Sequence, residues 1–466
     1  MKMWMFCLCL LLSVSSMYAC GPMEGADSGV VLDLTQPPVF TQSELAQIQT
    51  LSPLPALPKS PSNRYADRDD AIRLGQYLFF EKRLSANKEV SCATCHDPSK
   101  QWSDQRAFSK GIAELTRHSP SLWNVAYNRW YFWDGRADSL WAQALKPLEA
   151  VKEMGTTRLQ LLHVVAGDKA MRTAYEKIFG ALPDVSDTAR FPLQGKPNKD
   201  NPDDPHHKAW IGMKEADQKL VNTFFTNIAK AIAAYERTII SKDSPFDTFV
   251  DGVKGGDKEK QKELSIEAQW GLKIFLEKDS CVTCHNGPNF TDREFHNIGL
   301  PKHPTRSIEP DIGRFDGIPV VLGDPFNTLG AYSDAPDDVA HNKVRYLNSD
   351  PQATSTEFGS FKTPTLRNVA LSGPFMHDGR FKTLDEVLSF YSLFGAKQPE
   401  RCLTGVSAID QPASCKRDTP AIGHQEETMR VLKLSPSQLR ALKAFLMSLT
   451  GQPLPTSQTT QPSLGD

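Results

Sequence analysis

The chain has 466 residues, which is enough for two or three domains with buried cores. Its 53 Lys and Arg residues nearly balance 55 Asp and Glu residues, giving a net charge of −2. This balance excludes a basic surface for nucleic acid and the charge excess of a disordered chain. With 39% hydrophobic residues and 33 prolines, the composition predicts a globular protein with long ordered loops.

The first twenty residues have the pattern of a secretory signal. Lys2 precedes an apolar run that ends at Leu12, and small residues follow. A stretch this short does not span a bilayer, so we predict a signal peptide over 1–20 and export to the bacterial periplasm. Cys20 could carry the lipid anchor of a lipoprotein, although Met17 does not suit that signal. Membrane attachment is expected only through this anchor.

Most of the remaining pattern is helical. Residues 21–65 are rich in proline and predict an irregular lead-in and linker. Apolar residues then recur at helical spacing from Asp67 to Leu84, and again over 219–240 and 265–278. Few runs alternate with a period of two. We therefore expect a mainly α fold with long loops.

Two segments do not fit a helical pattern. Residues 181–216 form a polar excursion rich in Pro and Asp, for which the sequence gives no role. Residues 453–466 are rich in Pro, Ser, Thr and Gln and predict a disordered tail.

A Cys-x-x-Cys-His motif follows two of the predicted helices. The two copies are Cys92, Cys95 and His96, and Cys281, Cys284 and His285. The spacing is typical of c-type haem attachment, in which both thiols form thioethers to the porphyrin and the histidine binds the iron. A thioredoxin-like pair would need a βαβ context, and a zinc site would need two Cys-x-x-Cys pairs close in space. We therefore predict two covalent haems in two related cytochrome c-like domains, over 66–243 and 244–452.

The remaining cysteines predict one disulfide. Export places the chain in an oxidising compartment, where unassigned thiols tend to pair. Cys7 and Cys9 leave with the signal, Cys20 lies at the cleavage point, and four cysteines bind haem. Cys402 and Cys415 are left, on either side of a polar loop, and we expect them to be bonded to each other.

Three longer stretches resemble the bacterial dihaem cytochrome c peroxidase family, which includes the methylamine-utilisation (MauG) enzymes. They are RHSPSLWNVAYNRWYFWDGRADSLWAQALKPLEAVKEMG (117–155), CHNGPNFTDREFHNIGL (284–300) and FKTPTLRNVALSGPFMHDGRFKTLDEVLSFY (361–391). The resemblance extends over about 67–450. It implies an oxidoreductase that reduces hydrogen peroxide at the N-terminal haem, with electrons delivered through the C-terminal haem.

The resemblance also implies roles for individual residues. Trp133 matches a tryptophan that passes electrons between the two haems. Glu153 matches the catalytic glutamate above the first haem, where a carboxylate can move a proton between the oxygens of bound peroxide. Gln143 and Pro147 match residues that shape the same pocket.

Two positions differ from the pattern of peroxidases that need reductive activation. Lys110 stands where those enzymes have a histidine that caps the first haem, so we expect that haem to be open to peroxide. Fourteen residues after His377, Tyr391 stands where many members have an axial methionine, and it matches the tyrosine iron ligand of the MauG branch. The alternative is that Tyr391 is a buried aromatic residue and that Met376 binds the second iron.

A third departure concerns calcium. Family members bind an interdomain calcium through an asparagine after the arginine, and His118 stands there in this chain. Backbone oxygens equivalent to those of Ser372 and Pro374 remain, but imidazole is a poor ligand for this hard cation. Calcium is therefore a doubtful cofactor.

Three functions remain open from the sequence. The first is a dihaem peroxidase supplied by a small cytochrome c or copper protein. The second is a MauG-like enzyme that uses high-valent iron to oxidise residues of a partner protein, which the departures at Lys110 and Tyr391 favour. The third is a dihaem electron carrier without catalysis, against which the position of Glu153 argues.

Overall fold

The computed structural model describes residues 32–277, 281–300, 303, 311–338, 343–348, 350, 355–393 and 432–465. The predicted signal peptide, the possible anchor at Cys20 and the predicted disulfide between Cys402 and Cys415 lie outside these residues.

The described chain is mainly helical, as predicted. The helices of its first half are α1 (Gln42–Thr50), α2 (Asp69–Phe80), α3 (Cys92–Cys95), α4 (Leu140–Glu149), α5 (Arg158–Gly167), α6 (Lys169–Phe179), α7 (Pro205–Ile211) and α8 (Glu215–Glu236). The second half has α9 (Pro245–Gly255), α10 (Lys258–Gln261), α11 (Ile266–Leu276), α12 (Arg314–Leu322), α13 (Leu384–Leu393), α14 (Pro436–Ser448) and α15 (Thr456–Thr459). Two short strands, β1 (Phe295–His296) and β2 (Phe361–Lys362), pair antiparallel.

Two helix pairs carry the two hydrophobic cores. In the first core, α2 packs on α8, and in the second core, α11 packs on α14. Both pairs cross at a glycine. A Cβ on Gly75 would lie 1.8 Å from the carbonyl oxygen of Ala231, and one on Gly271 would lie 1.9 Å from that of Ala441. Both crossings therefore depend on backbones that only glycine lets approach so closely.

The repeat continues beyond the helices. Asn124 and Asn368 both adopt positive φ, and their backbone N–H groups donate to the carbonyls of Ile239 and Leu449 at 2.9 and 3.2 Å. The residues contacted in the two halves are the same distance apart in sequence. Ala231 and Ala441 at the crossings differ by 210 positions, and so do Ile239 and Leu449 at the asparagine contacts. The two halves thus share this arrangement in three dimensions, and the offset matches positions in the C-terminal part of α8 to positions of α14.

The lead-in contains a helix that composition did not predict. Thr41 accepts a hydrogen bond from the Glu44 N–H, and the Glu44 side chain accepts one from the Thr41 N–H at 2.6 Å, which completes a capping box for α1. Ile48 and Leu51 are fully buried in the second core. The proline-rich lead-in therefore packs on the C-terminal half and is not merely a linker.

The tail corrects a prediction. Residues 453–465 lie along α2 and α8, where the Gln76 side chain donates to the carbonyls of Ser457 and Thr460, both at 2.7 Å. The Tyr235 hydroxyl donates to the carbonyl of Gln458 at 2.6 Å. The tail is held by its backbone carbonyls, so its polar side chains did not signal this packing and the prediction of disorder was wrong.

None of the helices in the described ranges combines the length and apolar character needed to cross a bilayer.

Candidate active site

Both Cys-x-x-Cys-His motifs open onto one cavity of about 900 Å³. Its walls come from α4, α8, α13, α14 and the loops between them, and they are largely apolar. The predicted residues that line it are Cys92, Cys95, His96, Trp133, Gln143, Pro147, Glu153, Cys281, Cys284, His285, Met376 and Tyr391. The fold thus gathers residues that lie up to three hundred positions apart.

The two motif histidines have the same local geometry. The Nδ1 atom of His96 lies 3.1 Å from the carbonyl oxygen of Trp102, and that of His285 lies 3.0 Å from the carbonyl oxygen of Phe290. Trp102 and Phe290 both adopt positive φ, which turns these carbonyls toward the rings. A neutral imidazole that donates from Nδ1 leaves the Nε2 lone pair free for a metal. Both sites therefore fit a haem iron.

The four motif cysteines also fit covalent haem. None of them is in a disulfide, and all four line the cavity together with their histidines. Burial raises the pKa of Cys92, Cys95 and Cys281, so these thiols are not stabilised as thiolates. This environment suits thioether bonds better than a zinc site, which needs thiolates.

Glu153 lies just after α4, at the wall of the first motif's side of the cavity. Its backbone carbonyl accepts a hydrogen bond from the Ile112 N–H at 2.9 Å, and Gly111 packs against its backbone. Burial raises the pKa of the Glu153 carboxyl, and the charge of Arg136 opposes this shift. Within the described ranges, no ion pair of this carboxyl is found. It is thus a half-buried acid–base group on the cavity wall.

Gln143 and Lys110 differ in their relation to the cavity. Gln143, on α4, lines it, and its Oε1 atom is buried without a hydrogen-bond partner among the described residues. The Lys110 side chain is exposed, while its carbonyl lies 3.7 Å from the sulfur of Cys95. The structure therefore places the Lys110 amine in solvent, away from the first motif's histidine.

Trp133 joins segments from the two halves. Its indole Nε1 donates to the carbonyl of His118, and its own carbonyl accepts from the Lys362 N–H, both at 2.8 Å. Lys362 belongs to β2, in the C-terminal half. These two contacts hold the indole where the two halves meet.

Tyr391 and Met376 both line the cavity, on different elements. Tyr391 lies on α13, and its pKa is raised by burial and by the nearby sulfurs of Cys281 and Cys284. Met376 lies in a loop with positive φ. Tyr391 therefore lies near the second motif, and its role as a ligand of the second haem, in place of Met376, stays a prediction.

His118 is engaged with backbone groups. Its Nδ1 lies 2.8 Å from the carbonyl of Arg106, and hydrogen bonds with the backbone of Arg106 and Ser372 counteract the lowering of its pKa by burial. The imidazole thus lies beside Ser372, whose oxygen would be needed for an interdomain cation. This arrangement agrees with the doubt about calcium.

Sequence reasoning assigned no role to two buried ionisable residues of the cavity wall. The His377 ring stacks on Phe361 with centroids 3.7 Å apart, and burial lowers the pKa of His377 to about 4. Glu236, near the end of α8, is also buried against the cavity. No motif marks Glu236, because its neighbours form an ordinary amphipathic helix.

A helix pair and a Cys-x-x-Cys-His motif in each half, opening on a common cavity, define a protein with two cytochrome c-like haem sites. The family model described as di-haem cytochrome c peroxidase matches residues 69–255. The cytochrome-c peroxidase IdrP1 of Denitromonas iodatirespirans is 31% identical over 362 residues, covering 76% of this chain and 80% of that protein. The chain therefore belongs to the di-haem cytochrome c peroxidase family, whose members carry two haem groups.

Two further proteins are similar. The methylamine utilization protein MauG of Methylorubrum extorquens is 30% identical over 332 residues, covering 71% of this chain and 70% of that protein. The crystal structure of the diheme peroxidase BthA from Burkholderia thailandensis superposes with a TM-score of 0.57 at 21% identity, covering 84% of this chain and 89% of that one. The last comparison supports the fold alone.

Proposed function

We propose that this protein is a dihaem c-type peroxidase that reduces hydrogen peroxide at the haem bound by Cys92, Cys95 and His96. Electrons arrive through the haem bound by Cys281, Cys284 and His285. The observation that carries the proposal is the Glu153 carboxyl, which is half-buried in the cavity wall, where desolvation raises its pKa. An oxidoreductase of this family needs such a group, because O–O cleavage requires a proton to move between the two oxygens.

Haem held by Cys92, Cys95 and His96 would supply the iron that binds peroxide. The Glu153 carboxylate accepts the proton of the oxygen that binds and returns it to the oxygen that leaves as water. Gln143, with its free Oε1 in the same wall, accepts a hydrogen bond from peroxide and orients it. The overall reaction takes two electrons and two protons per peroxide and yields two waters.

Trp133 lies where electrons must cross between the two halves. Its backbone and indole are fixed to His118 and to Lys362, so the ring has one orientation. A fixed aromatic ring lowers the reorganisation required for electron transfer. We propose His96 and His285 as the proximal iron ligands and Tyr391 as the second ligand of the C-terminal haem.

The partner and location follow from the same proposal. The electron donor is a small cytochrome c or copper protein, and the enzyme is periplasmic after loss of its signal peptide. Cys20 is the candidate for a lipid anchor. Purified protein from cells labelled with a fatty acid would carry the label only if this anchor forms.

A second function is favoured by the exposed Lys110 and by Tyr391. An uncapped first haem and a phenolate at the second one suit a MauG-like enzyme, which stores oxidising equivalents and oxidises residues of a partner protein. Turnover of a reduced cytochrome or copper protein supports the peroxidase. Peroxide-dependent covalent change in a co-encoded protein, without such turnover, supports the second function.

The test of the proposal is Glu153→Gln in the haem-loaded enzyme. Stoichiometric peroxide should change the haem spectrum of the parent protein. In the variant, this reaction should be slower by about a hundredfold or more. The parent rate should rise with pH through the raised pKa of Glu153, because only the carboxylate accepts a proton, and the variant should lose this dependence.

A matched control is Glu89→Gln. Glu89 is exposed near the first motif and does not line the cavity, so its loss should leave the rate unchanged. If neither haem responds to peroxide in the parent protein, the chain is a passive electron carrier. An unchanged rate in the Glu153 variant would remove that carboxyl from the reaction.

A further inference from the structure

Glu236 is a buried carboxyl that the proposed peroxide chemistry does not use. It lies on the face of α8 that lines the cavity, one helical turn after Ile232, which lines it as well. The residue is 4% exposed, and its Oε2 atom has no hydrogen-bond partner among the described residues. An isolated buried carboxylate is expensive, so the protein must either protonate it or neutralise it with a charge in the cavity.

The internal repeat shows that this acid is not required for packing. With the offset of 210 residues, Ile232 corresponds to Leu442 and Glu236 corresponds to Leu446, and both leucines line the cavity. The neighbouring aromatic pair is also equivalent, since Tyr235 corresponds to Phe445. The same helix position is therefore apolar beside the second motif and ionisable beside the first.

The groups around Glu236 do not neutralise it. The charge of Glu236 contributes to the raised pKa values of Cys92, Tyr131 and Tyr235, and these uncharged groups do not neutralise it. The adjacent Arg237 donates to the carbonyl of Pro58 and to Asp67. Burial raises the pKa of Glu236 to about 8.

Apart from the exposed Asp69 of α2, the charged residues described on the helices packed against α8 have partners of their own. On α2, Asp70 pairs with Arg68, and Arg73 donates to the Ser463 carbonyl. On α4, Lys146 pairs with Asp324, and Glu149 pairs with Arg158 of α5. Charged residues such as Arg136 also line the cavity, but Arg136 is paired with Asp134, so a bound haem would bring a further charge to the cavity that Glu236 faces.

We propose that Glu236 takes up a proton when the first haem is reduced and releases it when that haem is oxidised. The inference rests on the proposed function only in assigning a haem to the first motif. The ferric iron–porphyrin core carries one more positive charge than the ferrous core, which favours the carboxylate, and this extra charge disappears on reduction. One electron from a donor then enters with one proton from solvent, which forms the Glu236 O–H bond, and no other bond changes.

The consequence is a cavity whose charge is the same in both oxidation states. The second haem, beside Leu446, has no such group and should be reduced without a proton at this position.

The experiment is a spectroelectrochemical titration of the haem-loaded full chain between about pH 5 and pH 9. The midpoint potential of the first haem should fall with rising pH, with a slope that reaches one proton per electron. Glu236→Gln, which keeps the side-chain shape, and Glu236→Leu, which copies the second half, should both make it independent of pH in that window. Glu153→Gln should keep the slope of the parent.

An infrared difference spectrum between the two oxidation states gives a second readout. The parent should gain a carboxylic-acid C=O band on reduction, and the Gln variant should lack it. An unchanged slope in Glu236→Gln, or a slope lost in Glu153→Gln instead, would overturn the inference. Because no peroxide is added, a protein that shows the proton linkage but fails to reduce peroxide contradicts only the proposed function.

Discussion

The indole of Trp133 and the backbone carbonyl of His118 are joined by a hydrogen bond of 2.8 Å. The backbone N–H of His118 in turn donates to the carbonyl of His377 at 2.8 Å. Residues of both halves are therefore linked through His118 at the level of the backbone. The ring that we assign to electron transfer is fixed by a contact that does not depend on the side chain of His118.

Replacement of this indole should separate the two haems functionally. In Trp133→Phe, the first haem should still react with stoichiometric peroxide, because Glu153 and Gln143 are unchanged. Turnover with a reduced donor should fall, because electrons cross more slowly from the second haem. Stopped-flow spectra at both haems measure the two steps separately.

Trp270→Phe is the control, since the Trp270 indole donates to Asp33 and Gln36 carbonyls away from the cavity. Equal turnover in both variants would contradict the role of Trp133.

The ligand of the second haem can be tested by exchange. Tyr391→Met should raise the midpoint potential of the C-terminal haem, because a thioether stabilises the ferric state less than a phenolate does. Met376→Leu should leave that potential unchanged. A shift in the Met376 variant and none in the Tyr391 variant would show that the methionine is the ligand. Electron paramagnetic resonance of the ferric protein reports the same change in the axial ligands.

Calcium removal should have no effect on this protein. The His118 imidazole already hydrogen-bonds Arg106 and lies beside Ser372, where a cation would need an oxygen ligand. Treatment with a chelator should leave the haem spectra and the peroxide reaction unchanged. His118→Asn restores the expected ligand type and is the informative variant, since calcium should bind it more tightly than the parent. Calorimetry of both proteins measures this difference, and calcium loss with altered spectra in the parent would contradict the expectation.

The sequence predicted the mainly α fold and the repeated helix and motif, because both depend on local patterns. Helical spacing located α2, α8 and α11 to within a few residues, and the Cys-x-x-Cys-His spacing predicted the two haem sites. The resemblance supplied Glu153 and Trp133, which no local pattern distinguishes from a surface acid and a core aromatic. The structure places both residues on the wall of the haem cavity.

The features that were missed depend on contacts between distant segments. The tail is bound through its carbonyls, and α1 is formed by a capping box and by burial of Ile48 in a core made from other elements. Glu236 was missed because its burial follows from the register of α8 on α2, which the close approach at Gly75 sets. Single-sequence patterns contain no information on such register.

The register of the second helix pair predicts a stability effect. In Gly271→Ala, the new Cβ would overlap the carbonyl of Ala441, so α11 must move away from α14. Overpacking of this kind should lower the free energy of unfolding by about 1–3 kcal/mol or more. Denaturant unfolding monitored at the second haem measures this loss. The matched control is Gly255→Ala, where a Cβ meets no atom within 4 Å. Equal stability of both variants would show that the crossing tolerates a side chain.

The ion pair between Asp247 and Arg367 predicts how stability depends on pH. Both carboxylate oxygens of Asp247 accept from the Arg367 guanidinium at 2.9 Å, and Ser52 donates to the same carboxylate at 2.6 Å. Burial alone would raise the pKa of Asp247, but these donors lower it to about 2. A carboxyl with a lowered pKa stabilises the fold above its unfolded value near 3.8, and this contribution is lost as the pH falls toward 2.

Asp247→Asn should therefore be less stable than the parent by about 2 kcal/mol or more at pH 7, and the difference should shrink as the pH falls below about 4. Unfolding by denaturant at several pH values measures both proteins under the same conditions. Asp337→Asn, at an exposed loop position, should match the parent throughout. A difference between Asp247→Asn and the parent that stays constant down to pH 2 would mean that the asparagine variant is destabilised by packing and not by loss of the charge. Because Arg367 also donates to the Pro288 carbonyl beside the second motif, the same variant should loosen the loop that holds His285.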